Sequence, residues 1–320
     1  MTQASDSFDL VCIGRVGVDL YPMQVGVGLD DITQFGKFLG GSAANVAVAG
    51  ALYGRRSALI SGVGADPFGR FVRRELRALG VDDQFVVSAA SLRTPVTFCE
   101  IFPPDNFPLY FYRGPDAPDL RIDEKDVPVA EVAAARVYWS TLTGLSQEPS
   151  RRAHALAWRR RGRRPLTVLD LDYRAMFWSG GESQARGQAR QALGECTVAV
   201  GNREECRIAT GETEPMAAAE KLLALGASLA VVKLGSDGAL AMSASGTWTV
   251  PGLRVPVVNG LGAGDAFGGA LCHGLLAGWP IEDVLRFANA AGALVATRLE
   301  CSAAMPTEHE VRQLMARSDW

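Results

Sequence analysis

The chain has 320 residues, 48% of them hydrophobic, with a formal net charge of −3. That length and apolar content can fill a large core, in one large or two smaller domains, and the charge gives no general pull toward nucleic acid. Six scattered cysteines without a Cys-x-x-Cys pair and three isolated histidines argue against a disulfide framework and against zinc-site spacing. No apolar run approaches membrane-spanning length, and the polar start Met1 to Asp9 lacks a basic-then-apolar leader. A cytoplasmic protein with free thiols, bound to neither membrane nor nucleic acid, is expected.

In chain order, a strand over Phe8 to Gly14 opens the sequence, followed by an extended stretch from Val16 to Phe38. The pair Gly40 and Gly41 leads into a small-residue helix around Asn45 to Tyr53. A strand over Ser57 to Gly62 precedes a helix from Asp66 to Leu79. There Asp66 is the N-cap, Pro67 takes the first helical position, and Phe68, Phe71, Val72, Leu76 and Leu79 form an apolar face. Two strand-like runs, Val96 to Phe102 and Leu109 to Arg113, are joined by the turn Pro103 to Pro108. Beyond Arg136, strands over Val137 to Ser140, Leu166 to Leu171, Thr197 to Val200 and Leu229 to Leu234 alternate with helical segments. That alternation predicts βαβ units, a mostly parallel sheet and one α/β domain over residues 1–320.

The segments about 16–38 and 95–113 fall outside this rhythm and read as extra strands forming a small β lid. The crevice of such a fold lies at the carboxyl ends of its strands, and a lid there would keep water out. Its exposed edges suggest a homodimer through the lid. The arginine run Arg151, Arg152, Arg159, Arg160, Arg161, Arg163 and Arg164 reads as the solvated face and C-terminal end of a helix.

The most informative run is Asn259-Gly260-Leu261-Gly262-Ala263-Gly264-Asp265-Ala266-Phe267, where a loop turns into a helix read as Ala266 to Ala277. The first amides of a helix have no internal partner and attract anions. With Gly262, Ala263 and Gly264 almost free of side chain, a phosphate can approach them closely. A carboxylate at Asp265 beside an anion site makes chemical sense as a base that takes a proton from an attacking hydroxyl. The plainer reading is a tight turn with an Asp capping a helix. Against it, Gly268, Gly269 and Gly274 are poor helix choices unless the helix is packed closely on all sides, which places the run in the core.

Taken together, Gly40-Gly41-Ser42-Ala43-Ala44-Asn45, Gly64-Ala65-Asp66-Pro67-Phe68-Gly69 and Gly262-Ala263-Gly264-Asp265-Ala266-Phe267 resemble the ribokinase-like (PfkB) carbohydrate kinases over nearly the full length. Asp170-Leu171-Asp172-Tyr173-Arg174, Asn202-Arg203-Glu204-Glu205 and Lys233-Leu234-Gly235-Ser236-Asp237-Gly238 resemble further segments of that family. The resemblance implies a three-layer α/β fold and phosphoryl transfer from ATP with Mg²⁺. It places Asp265 as base and the amides of Gly262, Ala263 and Gly264 on the moving phosphoryl group. The acceptor would meet Asp19, Gly40, Gly41 and Asn45. The nucleotide would meet Asn202, Lys233, Gly235, Ser236, Gly238 and Asn289, with Glu205 on magnesium through water.

Asn259-Gly260-Leu261 and Glu300-Cys301 depart from the family pattern, which leaves a monovalent-cation requirement open. Within the family, the segments from Gly14 to Pro22, from Thr94 to Pro104 and from Leu109 to Arg113 look most like the branch acting on keto-deoxy sugar acids. Independently, Arg15, Arg113 and Arg174 stand at strand ends, where a guanidinium fork matches a carboxylate. Any one of them has a surface salt bridge as its plainer use. A small-molecule sugar acid is the expected acceptor, with a neutral-sugar kinase of the ribose or fructose type as the alternative. A non-catalytic sugar or nucleotide sensor ranks lower. A nicotinamide enzyme ranks last, because no Gly-x-Gly-x-x-Gly follows the first strand.

Overall fold

The computed structural model describes residues 7–114 and 116–317. The polar start, read as lacking a leader, lies outside them as far as Asp6. The chain runs β1 (Leu10–Ile13), β2 (Gly17–Pro22), β3 (Phe35–Gly40), α1 (Ser42–Leu52), β4 (Ser57–Gly64), α2 (Pro67–Ala78), β5 (Val81–Asp82), β6 (Val86–Ala89), β7 (Val96–Cys99), β8 (Leu109–Tyr112), α3 (Val129–Ala134) and β9 (Val137–Thr141). It continues with α4 (Ser150–Arg161), β10 (Thr167–Asp170), α5 (Gly181–Leu193), β11 (Val198–Asn202), α6 (Arg203–Thr210), α7 (Pro215–Ala224), β12 (Leu229–Lys233), β13 (Ala239–Ser243), β14 (Gly246–Val250), α8 (Ala263–Ala277), α9 (Ile281–Ala296) and α10 (Glu308–Ala316).

The main sheet has the order β14-β13-β12-β11-β10-β9-β1-β4-β5, with β6 also on β4. From β12 to β5 neighbouring strands are parallel, and β13 runs antiparallel to both β12 and β14 at one edge. The expected α/β class with a mostly parallel sheet is therefore what forms. Alternation along each strand divides the core in two. Leu10, Cys12 and Leu59 face α1, α8 and α9, whereas Val11, Ile13, Ala58 and Ile60 face the α3–α7 side. Asp66 caps α2 by accepting from the Gly69 amide at 2.8 Å, with Pro67 at the first position, as its sequence signals. All six cysteines are buried and unpaired, and no described helix is long and apolar enough to cross a membrane.

A second sheet of order β3-β2-β7-β8 is built from the two segments that break the βαβ rhythm. β2 leaves the end of β1 after only three residues, so this sheet stands directly over the carboxyl ends of the main one.

Two expectations need correction. Helix α8 starts at Ala263, three residues earlier than read, so Gly264 and Asp265 lie inside its first turn. The arginine run is not wholly solvated. Arg161 is buried, bonding Thr167 Oγ1 at 2.7 Å and the carbonyls of Val132, Ala135, Arg136 and Pro165. Arg163 and Arg164 likewise donate to carbonyls of Gly194, Gly226 and Ala133. These arginines tie loose backbone ends together, a use that a linear pattern of charges does not reveal.

The close-packing argument for α8 holds. A Cβ on Gly269 would lie 2.4 Å from the Ala49 Cβ, and one on Gly268 2.5 Å from the Trp139 ring. Gly269→Val should therefore separate α1 from α8 and lower stability by about 1–3 kcal/mol, read as a lower urea midpoint with an unchanged slope.

Candidate active site

Five parallel strands deliver their last residues, or the loops that follow, to one crevice. β1 leads to Arg15, β9 to Thr143, β10 ends on Asp170 and leads to Asp172, β11 ends on Asn202 and β12 ends on Lys233. The second sheet covers the acceptor side of this crevice with Asp19, Tyr21, Thr97 and Phe111.

Backbone geometry explains the glycine pair. A Cβ on Gly40 would lie 2.1 Å from the Asp19 carboxylate, and Gly41, at φ 103°, would place one 2.5 Å from the Arg15 carbonyl oxygen. Only glycine lets the chain pass between those groups. Asp19 accepts from the Tyr21 hydroxyl at 2.9 Å. Tyr21 is in turn 2.6 Å from Cys301 Sγ. Burial pushes Asp19 up to about 6, against the opposing pull of Tyr21 and Arg15.

Arg15 and Arg174 both line this pocket, and Asp172 holds both. Arg15 Nη2 lies 2.9 Å from Asp172 Oδ2, and Arg174 Nη2 lies 3.2 Å from Oδ1. Ser42 and Thr143 hydroxyls also donate to Asp172. Burial would raise the Asp172 carboxyl, but the two guanidiniums outweigh it and hold the group far below the usual range. Arg113 is not brought to the pocket. Its Nη2 donates to both oxygens of the buried Asp119, at 3.1 and 2.9 Å, with the guanidinium over the Phe177 ring.

The head of α8 forms the wall between two cavities. Gly262 and Asp265 face the acceptor pocket, while Ala263 and Gly264 face a second cavity of 490 Å³. Gly262 is the N-cap at φ 82°, and a Cβ there would meet Cys301 Sγ at 2.8 Å. Asp265 Oδ2 accepts from Asn45 Nδ2 at 2.6 Å, and Ser302 donates to the other end of the same amide at 2.5 Å. Asn45 thus orients Asp265 while still lining the pocket, where its second Nδ2 hydrogen remains for another acceptor. Burial pushes Asp265 up to about 6, with the Asn45 bond opposing and Asp172 adding to the rise.

Lys233, Gly235, Ser236, Gly238 and Asn289 all line the 490 Å³ cavity, beside the apolar surfaces of Leu253, Val255 and Val257. Asn202 and Glu205 do not. They form a capping box on α6, in which Glu205 Oε2 accepts from the Asn202 amide at 2.7 Å and Asn202 Oδ1 from the Glu205 amide at 2.9 Å. Glu205 Oε1 meets only Arg174 Nη1, at 3.7 Å, so that oxygen can accept from a metal-bound water.

Among the described residues no group of three or more His, Cys, Asp or Glu is arranged to hold a metal directly. Asn259 is fully buried and ties its own loop to the 298–301 segment, donating to the Leu299 carbonyl at 2.7 Å. Sequence reasoning overlooked Asp172, Tyr21, Ser302 and Thr143. Asp172 lay inside a quoted segment and could have been found as the acid facing two arginines. The others carry no linear signal.

Residues 7–308 match the family model described as pfkB family carbohydrate kinase. The chain is similar to 5-dehydro-2-deoxygluconokinase of Shouchella clausii, 32% identical with 98% of this chain and 97% of that one covered. It is also similar to the protein of the same name from Photobacterium profundum, 34% identical with 96% and 94% covered. Among solved structures, a double-mutant fructokinase from Vibrio cholerae in fructose, ADP and potassium ion bound form is 27% identical, with a TM-score of 0.84 and 98% of this chain and 100% of that one covered.

Proposed function

The chain belongs to the pfkB family of carbohydrate kinases, and on that premise we propose that it transfers the γ-phosphoryl group of ATP to a hydroxyl of 5-dehydro-2-deoxygluconate. The observation that carries the reaction type is the head of α8, whose amide end and Asp265 lie between an acceptor pocket and a larger cavity. Two findings support the substrate. Relatives 30–34% identical over nearly the full chain carry that kinase name, and the acceptor pocket holds two arginines fixed by one buried aspartate.

The acceptor lies under the second sheet. Its carboxylate meets Arg15 and Arg174, and its hydroxyls meet Asp19 and the Gly40–Gly41 backbone. Held by Asn45, Asp265 takes the proton of the attacking hydroxyl. The amides of Gly262, Ala263 and Gly264 stabilise charge on the moving phosphoryl group. The nucleotide occupies the 490 Å³ cavity, bounded by Gly235, Ser236, Gly238 and Asn289. Magnesium, when bound, neutralises phosphate charge, and Glu205 holds it through water while Asn202 keeps Glu205 in place.

A coupled ADP-release assay against sugar acids and neutral sugars tests the reading. Turnover should be highest with 5-dehydro-2-deoxygluconate; a neutral sugar used as well as any acid would leave only a general sugar kinase. Glu205→Gln, which preserves the capping geometry, should raise the magnesium needed for half-maximal rate severalfold and leave the acceptor KM within about threefold. Unchanged magnesium dependence with weakened acceptor binding would assign Glu205 to the wrong half.

A further inference from the structure

Lys233, part-buried, and Asp170, buried, are two ionisable side chains whose placement the reaction above leaves unexplained. Lys233 ends β12 and Asp170 ends β10, at the carboxyl edge of the sheet, and Lys233 lines the 490 Å³ cavity. The Lys233 ammonium lies 3.3 Å from where a Cβ on Gly264 would sit, directly over the first turn of α8. It is 3.6 Å from Glu205 Oε2 and 3.9 Å from Asp170 Oδ1. At those lengths neither contact is a hydrogen bond, so the N–H groups are spent on neither carboxylate. Asp170 is 3% exposed and its Oδ1 has no hydrogen-bond partner. Glu205 is already used in capping α6, whereas Lys233 is, among the described residues, the cation recorded beside Asp170 Oδ1.

We propose that Lys233 is a catalytic residue whose ammonium touches the transferring phosphoryl group, and that Asp170 is the positioning residue that holds it over the head of α8. The proposal rests on the kinase reading and goes beyond nucleotide holding. A phosphoryl group arriving there comes near Asp172, Glu205 and Asp265, carboxylates that would repel it. A fixed ammonium with unspent donors, reaching the same point as the α8 amides, offsets that repulsion where charge builds in the transition state.

In the step itself, the acceptor oxygen forms the new bond to phosphorus and its proton passes to Asp265. The bond to the bridging oxygen breaks and its electron pair stays on ADP. Lys233 remains protonated throughout and supplies charge, not a proton.

The experiment combines Lys233→Met, Lys233→Arg, Asp170→Asn and the double variant Lys233→Met/Asp170→Asn, each checked for folding by circular dichroism. Lys233→Met should lower kcat by about 10²-fold or more, with ADP affinity by calorimetry and the acceptor KM within about fivefold of wild type. If Lys233→Met does not fold, Lys233→Arg keeps the charge and should lower kcat about tenfold at unchanged ADP affinity, since a planar fork does not replace a point charge. Asp170→Asn should lower kcat about tenfold in the wild-type background and by less than twofold on top of Lys233→Met, because it acts through the lysine. The proposal is overturned if either Lys233 variant keeps kcat within threefold while ADP affinity collapses, or if Asp170→Asn costs as much in both backgrounds. A wild-type enzyme with no sugar or sugar acid turnover would instead overturn the kinase reading beneath it.

Discussion

Asp265→Asn lowers kcat by about 10²-fold or more, within the 10²–10⁴ that a general base contributes, while ADP and acceptor affinities stay within a few-fold. The amide keeps the shape and the neighbours but takes no proton, so the loss belongs to the transition state. The same residue sets a pH limb. Burial pushes Asp265 up to about 6, and the base works only when ionised, so wild-type kcat/KM falls as pH drops below about 6. Asp19 is also pushed up to about 6, so part of that limb persists in Asp19-containing variants. The stability consequence has a definite sign. A carboxyl whose folded pKa lies above its ordinary 3.8 favours the neutral form in the fold. Its contribution is greatest below pH 3.8 and is lost as pH rises through about 6. Asp265→Asn should therefore melt a few degrees above wild type at pH 8, with the difference closing toward pH 4. An aspartate that merely caps a helix would show the reverse, lower melting on removal with turnover intact, and that pair of results would sink the assignment.

What the sequence made legible follows from range. The α2 cap, the glycine-rich head of α8 and the parallel strand rhythm are each written in a few adjacent residues. Asp265 and Gly262 to Gly264 are contiguous, so their shared place at one helix head is legible in the sequence. Asn45 stands out in the sequence, but its contact with Asp265 does not. Its partners Asp265 and Ser302 lie 220 and 257 residues away, and nothing local distinguishes an amide that orients an acid from one that meets a sugar. The arginines show the same limit. All three stand at strand ends, but only the tertiary arrangement shows that Asp172 clamps Arg15 and Arg174 whereas Asp119 draws Arg113 aside. The β13–β14 hairpin was passed over because five-residue strands at a sheet edge carry weak periodicity.

Arg174→Ala should erase much of the preference for a sugar acid over a neutral sugar, which we expect to be about 10²-fold in kcat/KM for the wild type. A charged hydrogen bond contributes about 1.5–3 kcal/mol, or about 10- to 150-fold, so one arginine is enough to set the scale. Arg174 is well placed to supply it. Its Nη1 is fixed by the Tyr173 carbonyl at 2.8 Å and its Nη2 by Asp172 at 3.2 Å, while the side chain stays 34% exposed at the pocket. A neutral sugar beneath the closed sheet would desolvate this guanidinium without replacing its water, and that cost produces the discrimination. The variant should lose acid turnover and leave the ATP KM within about threefold, since the two cavities lie on opposite sides of the head of α8 and Arg174 lines only the smaller. Arg113 can join only by leaving Asp119, and an equal loss of preference in Arg113→Ala would reveal that exchange. If Arg174→Ala keeps the full preference, the carboxylate is read elsewhere and the Asp172 clamp serves packing alone.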